Sequence, residues 1–308
     1  MRKTVLCALF AALIVVASTP PAPKASAASE AAPSKILTLA PATTKPTVKP
    51  GASAQGKFQI INQGTSDYPV HIYSAPYSVH SEDYTPDFTP VSGKLNAASW
   101  IQFDTTTATI PPAHTLDVPY TITIPSGTAP GGYYAVAFAE THSQPSNKQG
   151  VVVNERVGEI FYIQVAGTVK QTGKLLSWSS KFIQQAPLSA TLRLENDGNL
   201  DYASDIHVTV RDMFGRPKYS LNTTKEVLPQ TVRRIPINWT TTPSLGLFKV
   251  TGTVSLPNNT TQALTTKYVL VISPVLRIIA TVLVAVPLAY SIGRQLGKRK
   301  RQAKKSTE

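Results

Sequence analysis

An apolar run near the end of this 308-residue chain constrains its fold more than any other feature. From Pro274 to Gly293 almost every residue is apolar, including Val275, Leu276, Ile278, Ile279, Val282, Leu283, Val284, Val286, Leu288 and Ile292. A basic cluster follows at once. At a rise of about 1.5 Å per residue, such a helix covers the roughly 30 Å hydrocarbon core of a bilayer. Ser273 suits the N-cap, and Pro274 suits a first turn whose amides have no partner to lose. Arg277 lies in that first turn, from which it reaches the outer headgroups. Pro287 is expected to kink the helix without ending it. The competing reading is a buried core helix with a loose basic tail.

The other end of the chain has the three parts of a secretory signal. Arg2 and Lys3 precede an apolar run from Val5 to Val16, and Ala25-Ser26-Ala27 supplies small residues for cleavage. A signal peptide over 1–27 and a transmembrane helix over 273–293 predict an exported N-terminus. The basic tail, 294–308, then stays in the cytoplasm by the positive-inside rule. The expected location is the plasma membrane, in a single pass, with the bilayer as one partner. This topology also explains the net charge of +13. The leading segment holds Arg2, Lys3 and Lys24, and the tail holds seven basic residues against Glu308, which leaves only +4 in between. So small an excess excludes a nucleic-acid partner. The single cysteine, Cys7, sits inside the leading apolar run, so the mature protein is expected to lack both thiols and disulfides.

Between these segments the chain reads as strands. After a low-complexity linker (28–34), strands are expected near Ile36–Leu39, Lys57–Asn62, Val70–Tyr77, Trp100–Asp104, Thr115–Ile124, Tyr133–Thr141 and Val157–Ala166. A second set is expected near Lys174–Phe182, Ala190–Glu195, Ile206–Arg211, Arg233–Trp239, Phe248–Ser255 and Ala263–Ile272. Gln63-Gly64, Pro130-Gly131-Gly132 and Asp197-Gly198-Asn199 supply turns that tolerate positive φ. The predicted fold class is all-β: two tandem immunoglobulin-like β-sandwiches (35–167 and 168–272) followed by one C-terminal transmembrane helix. A barrel is the all-β alternative.

Signs of catalysis are absent from the pattern. His71, His80, His114, His142 and His207 are scattered without metal-ligand spacing. No serine stands three residues before a lysine, and there is no nucleophile elbow, phosphate loop or dinucleotide fingerprint. No enzyme activity, cofactor or metal is expected. The polar connection Ser78–Ser99 is the candidate ligand-contacting loop, through His80, Glu82, Asp83, Tyr84, Asp87 and Phe88. The bland reading of the same residues is a solvated loop with two aromatic plugs. Tyr133, Tyr134, Tyr162, Trp178 and Trp239 alternate with apolar neighbours, as core residues do.

Several strings together suggest a family: Ile36-Leu37-Thr38-Leu39-Ala40-Pro41, Asn62-Gln63-Gly64, Ala129-Pro130-Gly131-Gly132-Tyr133, Arg156 through Tyr162, and Glu195-Asn196-Asp197-Gly198-Asn199. With the terminal helix and basic tail, this layout resembles the WxL-interacting proteins of Gram-positive surfaces. The resemblance implies a peptidoglycan-binding first domain, a second domain that binds a host or partner, and action beside a WxL-type surface protein. The expected function is therefore a non-enzymatic cell-surface protein that contacts peptidoglycan or a WxL-type protein. The alternative is an immunoglobulin-like accessory or assembly module that binds another membrane or exported protein and not the wall.

Overall fold

The computed structural model describes residues 37–89, 96–141 and 155–305. The expected signal peptide and low-complexity linker lie outside the described residues. Apart from a 3-10 turn (Ala98–Trp100) and one C-terminal helix, the described elements are strands.

The first half contributes β1 (Leu37–Ala40), β2 (Thr43–Thr44), β3 (Thr47–Val48), β4 (Ser53–Asn62), β5 (Tyr68–Pro76), β6 (Ser78–His80), β7 (Thr85–Asp87), β8 (Ile101–Phe103), β9 (Thr107–Ile110), β10 (Thr115–Thr123), β11 (Gly131–Thr141) and β12 (Arg156–Val165). One sheet has the order β1-β4-β10-β8 and the other β2-β12-β11-β5-β9, with β3 also on β12. Pairing is antiparallel except where β2 and β3 lie parallel to β12. The chain thus begins in one sheet and crosses to the other after Ala40, and the sheets match the ABED and GFC sheets of an immunoglobulin-like sandwich. The second half repeats this plan with β13 (Gly173–Ser179), β14 (Ile183–Gln184), β15 (Leu188–Asn196), β16 (Tyr202–Asp212), β17 (Pro217–Val227), β18 (Thr231–Trp239), β19 (Leu245–Leu256) and β20 (Thr260–Ile272). Its sheets run β13-β15-β18 and β14-β20-β19-β16-β17, again with the short β14 parallel to the last strand.

Period-two patterning explains most of these strands. Along β15, Leu188, Ala190, Leu192, Leu194 and Asn196 point inward, and the residues between them are more exposed. Along β4, Phe58, Ile60 and Asn62 are buried, while Lys57 and Gln59 face solvent and both bond Asp117 on β10. Each large side chain so buried contributes about 1.5–3 kcal/mol. Two separate cores result, one around Phe58, Ile122 and Phe161 and one around Leu192, Val208 and Val250.

β11 departs from alternation, because almost its whole length is buried on both faces. Ala135, Ala137 and Ala139 face the first core. Tyr134, Val136 and Phe138 enter a third cluster with Tyr77, Tyr84, Tyr162 and Leu228. Leu228 belongs to the second half, so this cluster joins the two halves.

The halves also share one turn. Asn62 and Asn196 end β4 and β15, both fully buried. Each side-chain oxygen accepts from the glycine amide two residues on, Gly64 and Gly198, at 2.8 Å. Each side-chain amide donates to two carbonyls: Ser66 and Ile110 in the first half, Leu200 and Val227 in the second. Asp67-Tyr68 and Asp201-Tyr202 follow at equal distance, so the turn is an internal repeat that is also visible in the letters.

β20 passes into the helix with a single residue between them. The Ser273 amide donates to Ser244 O at 2.7 Å, and its hydroxyl accepts from the Leu276 amide at 3.2 Å. That is the N-cap bond expected of Ser273. Helix α1 runs Pro274–Lys305, so it continues through the basic residues. Its segment Pro274–Ile292 is long and apolar enough to cross a membrane.

Candidate functional site

Strands β6 and β7 form a small hairpin, and most of the polar candidate residues lie on or beside it. Its tip turns through left-handed conformations at Ser81 and Tyr84 (φ 61° and 58°), which aims Tyr84 away from its own sheet. The Tyr84 hydroxyl accepts from the Leu228 amide at 2.8 Å and hydrogen-bonds Thr231. The Arg233 guanidinium lies 4.2 Å from the centre of its ring. Glu82 receives a two-pronged contact from Arg193, whose Nε donates to Oε2 at 2.7 Å, and its carbonyl accepts from the Arg234 amide at 2.7 Å. That hydrogen bonding to Arg193 holds the Glu82 carboxyl below the usual carboxylate range. Asp83 pairs with the Arg234 Nε at 3.0 Å.

The other three candidates stay nearer home. Asp87 accepts from the Thr89 amide and hydroxyl at 2.9 and 2.7 Å, bonds that lower its carboxyl. Phe88 packs edge-on against Phe138 with centroids 4.9 Å apart, and Arg156 lies 5.1 Å from its ring centre. His80 is exposed, opposite Thr85 in the hairpin. The loop therefore brings Glu82, Asp83 and Tyr84 together onto the chain's own second half, and leaves Asp87, Phe88 and His80 outside that contact.

A second set of bonds closes the junction from the other side. Lys45, between β2 and β3, pairs with Glu226 at 2.6 Å and stands 3.9 Å from Asp201. Tyr134 donates to Asp201 at 2.8 Å, and burial raises the Asp201 carboxyl. The Gly132 amide donates to Asn199 O at 2.8 Å, while the Asn199 side chain donates to Pro130 O at 3.0 Å. Gly131 (φ 150°) allows this approach, since a Cβ there would lie 2.8 Å from Asn199 O. The charged contacts of Glu82, Asp83 and Lys45, an aromatic plug and these backbone bonds together fix the halves against each other.

The main open surface is on the second half. β17 ends its sheet and pairs only with β16, residue for residue from Tyr219–Val210 to Val227–Tyr202 without a register shift. Among the described residues no strand pairs with its other edge. Tyr219 faces in and stacks on Trp239 at 6.0 Å, while Lys218, Ser220, Asn222 and Thr224 are exposed. The remaining edges offer less. β1, β8 and β9 have three or four residues. β13 is bulged and β18 contains Pro236. β14 and the Trp178 indole, which donates to Thr265 O at 2.8 Å, cover part of β20. On β12 only Arg156–Glu159 escapes β2 and β3.

Beside the β17 edge, the outward face of the sheet forms a shallow polar cavity of about 520 Å³ lined by Asp205, His207, Asn222, Thr224, Thr253 and Ser255, among others. His207 hydrogen-bonds Asn222 and Thr209, and Thr224 donates to Asp205 at 2.6 Å. Such a surface offers hydrogen bonds to a chain laid along it. Among the described residues no group of three or more His, Cys, Asp or Glu side chains could hold a metal. Sequence reading placed no strand between Arg211 and Arg233 and so missed β17 altogether. Only the alternation of Tyr219 and Leu221 with polar residues could have signalled it.

No family model matches the chain, and no curated protein does. Among solved structures it is similar to the class 5 fimbriae chaperone CfaA (11% identity, 77% of this chain and 99% of that one, TM-score 0.39). It is similar also to a chain of the CsuC–CsuE chaperone–tip adhesion subunit pre-assembly complex of Acinetobacter baumannii (13%, 77% and 99%, TM-score 0.40). A third is the PapD-like domain 7 of human CEP192 (17%, 51% and 98%, TM-score 0.31). At these identities and TM-scores no ligand or activity carries over to this chain.

These findings correct the expected membership of the WxL-interacting family, because the structures found are fimbrial chaperones and a PapD-like domain, and no family model supports the resemblance. Peptidoglycan and a WxL-type partner rested on that resemblance and fall with it. The physical reason lies in the strings themselves. Asn62-Gln63-Gly64 and Asn196-Asp197-Gly198 build the same buried-asparagine turn in both halves. Gly131–Tyr133 opens β11, and Arg156–Tyr162 is the body of β12. They report the making of an immunoglobulin-like sandwich and not its ligand.

Proposed function

We propose that this chain is a non-enzymatic accessory protein in which two tandem immunoglobulin-like domains, locked into one body and anchored by α1, bind another exported or membrane protein along an open strand edge. The observation that carries this reading is β17, a long, regular, polar edge strand with no partner strand among the described residues. An extended segment laid along it gains main-chain hydrogen bonds, and the adjoining polar face supplies selectivity through side chains. Natural proteins usually blunt such edges with bulges, prolines or covering loops. Here the register shift and the proline fall at its first residues, by Pro217, and spare the rest. The charged leading segment and the apolar span Pro274–Ile292 support an anchored protein with its sandwiches outside the cell.

The test is photocrosslinking in the native membrane, with a photoreactive residue at Asn222 and, as control, at Lys57 on the other half. A protein adduct is expected at Asn222 and not at Lys57. Successive amides alternate in direction along a strand, so proline at 223 or at 224 removes an outward N–H without touching β16. That one variant should lose the adduct with unchanged thermal unfolding. An adduct that survives both prolines, or none at Asn222, refutes the reading.

A further inference from the structure

Among the described residues, almost all the exposed large apolar side chains outside α1 lie at one end of the second half. Leu245 and Leu247 on β19 stand opposite Ile272 and Leu270 on β20, with Tyr268 one outward step further along. Phe182 and Ile183 flank Leu270 from β14. Met213 and Phe214 tip the β16–β17 hairpin just past Asp212, which pairs with Phe248 and so puts the tip level with Leu247. Phe182 is 56% and Phe214 76% exposed, although the other described phenylalanines are buried or half-buried.

The same end is strongly cationic. Lys181, Arg211, Arg216, Lys218, Lys249 and Arg277 gather there, and Asp212, which pairs with Lys218 at 3.4 Å, is the carboxylate set among them. Lys181 and Arg277 line a cavity of about 600 Å³ with Ser180, Gln184 and Ser189. The Arg277 Nε is buried without a hydrogen-bond partner. Apolar residues ringed by lysine and arginine suit the boundary between acyl chains and anionic headgroups.

What covers this surface follows from where the chain goes next. Ile272, itself part of the patch, is two residues before Pro274, the first residue of α1. The Ser273–Ser244 bond ties the foot of β20 to the loop that leads into β19. With α1 in a membrane, the patch is at the bilayer surface and has no linker with which to leave it.

We infer that this end of the second half is itself a lipid-binding surface, seated in the headgroup region of the outer leaflet, with Phe182, Leu245, Leu247 and Phe214 in the acyl boundary and Lys181 and Arg277 taking lipid phosphate. The inference rests on the reading of α1 as the anchor. The test uses the full chain, with its single Cys7 replaced by serine, reconstituted into vesicles of equimolar phosphatidylcholine and phosphatidylglycerol. Spin labels are placed singly through Phe182→Cys, Phe214→Cys, Asn222→Cys and Val284→Cys. Labels at 182 and 214 should be accessible to oxygen and shielded from a water-soluble nickel chelate, and the label at 222 should show the reverse. If 182 and 214 read as aqueous while 284 reads as buried in lipid, the inference fails and the anchor stands. An aqueous 284 overturns the anchor and the inference with it. Labels at 182 and 214 immobilised and shielded from both reagents mark a protein contact and also overturn it.

Discussion

Glu159 is the most informative single perturbation of the first half. It is fully buried on β12, opposite Ala137. Thr44 on β2 donates to its Oε1, while Oε2 has no partner. Burial, opposed only by the Thr44 bond, raises the carboxyl from 4.5 to about 7. The folded state therefore holds this proton more tightly than the unfolded chain. Stability is greatest below the unfolded value, falls as pH rises towards 7, and levels off above it. A difference of this size corresponds to about 3 kcal/mol between pH 4 and pH 8. Glu159→Gln keeps the shape and an oxygen for Thr44 but cannot ionise. At pH 5 only about 1 kcal/mol of the difference has appeared, so the two proteins should unfold within about 4 °C of each other. At pH 8 the variant should be the more stable by about 3 kcal/mol, or roughly 6–12 °C for a unit of this size. Thermal unfolding of the detergent-solubilised chain, followed by circular dichroism at both pH values, measures the gap. Asp201, whose carboxyl burial also raises, is common to both proteins and cancels in the comparison. A gap that is the same at pH 5 and pH 8 refutes the reasoning.

Tyr84→Phe removes the acceptor for the buried Leu228 amide and should cost about 1–3 kcal/mol, seen as separate unfolding of the two halves in urea where the parent shows one transition. Asn62→Ala and Asn196→Ala each strand one amide and two carbonyls, and should each cost about 3 kcal/mol or more by urea titration. Because the two turns are built alike, the two losses should agree within about 1 kcal/mol; a large disparity denies the equivalence. Burial and Glu155 push the Tyr68 hydroxyl up to about 12, so Tyr68→Phe should lessen the loss of stability between pH 10 and 12.

The interior strands were legible because burial on one face writes an alternating pattern. Thr115–Thr123 was expected to within a residue, and Lys57–Asn62 was placed with only its polar start, Ser53 to Gly56, left out. β17 left only a faint trace, the alternation of Tyr219 and Leu221 with polar residues, since an edge strand with Asn222, Thr223 and Thr224 in a row has little to bury. The parallel stubs β2, β3 and β14 have two residues each, too few to show a period. The hairpin residues Glu82 to Tyr84 stand out in the sequence as a polar stretch with an aromatic, but not as a contact within the chain. Their partners Arg193, Thr231 and Arg234 lie more than a hundred residues away, a separation that no local pattern encodes. The repeated Asn-x-Gly-x-x-Asp-Tyr was readable at Asn62 and Asn196, but two short turns far apart attract notice only once both are seen to bury the same asparagine.

The direct passage of β20 into α1 also determines how the protein bears load. A pull on the helix enters the sheet at the end of β20, along the strand, and crosses β19 and β16 to reach β17. A segment paired with β17 and held at its far end is then sheared along its length, so that its hydrogen bonds share the force instead of opening one at a time. Had the helix left from a loop at the side of the sheet, the same pull would peel the added strand from one end.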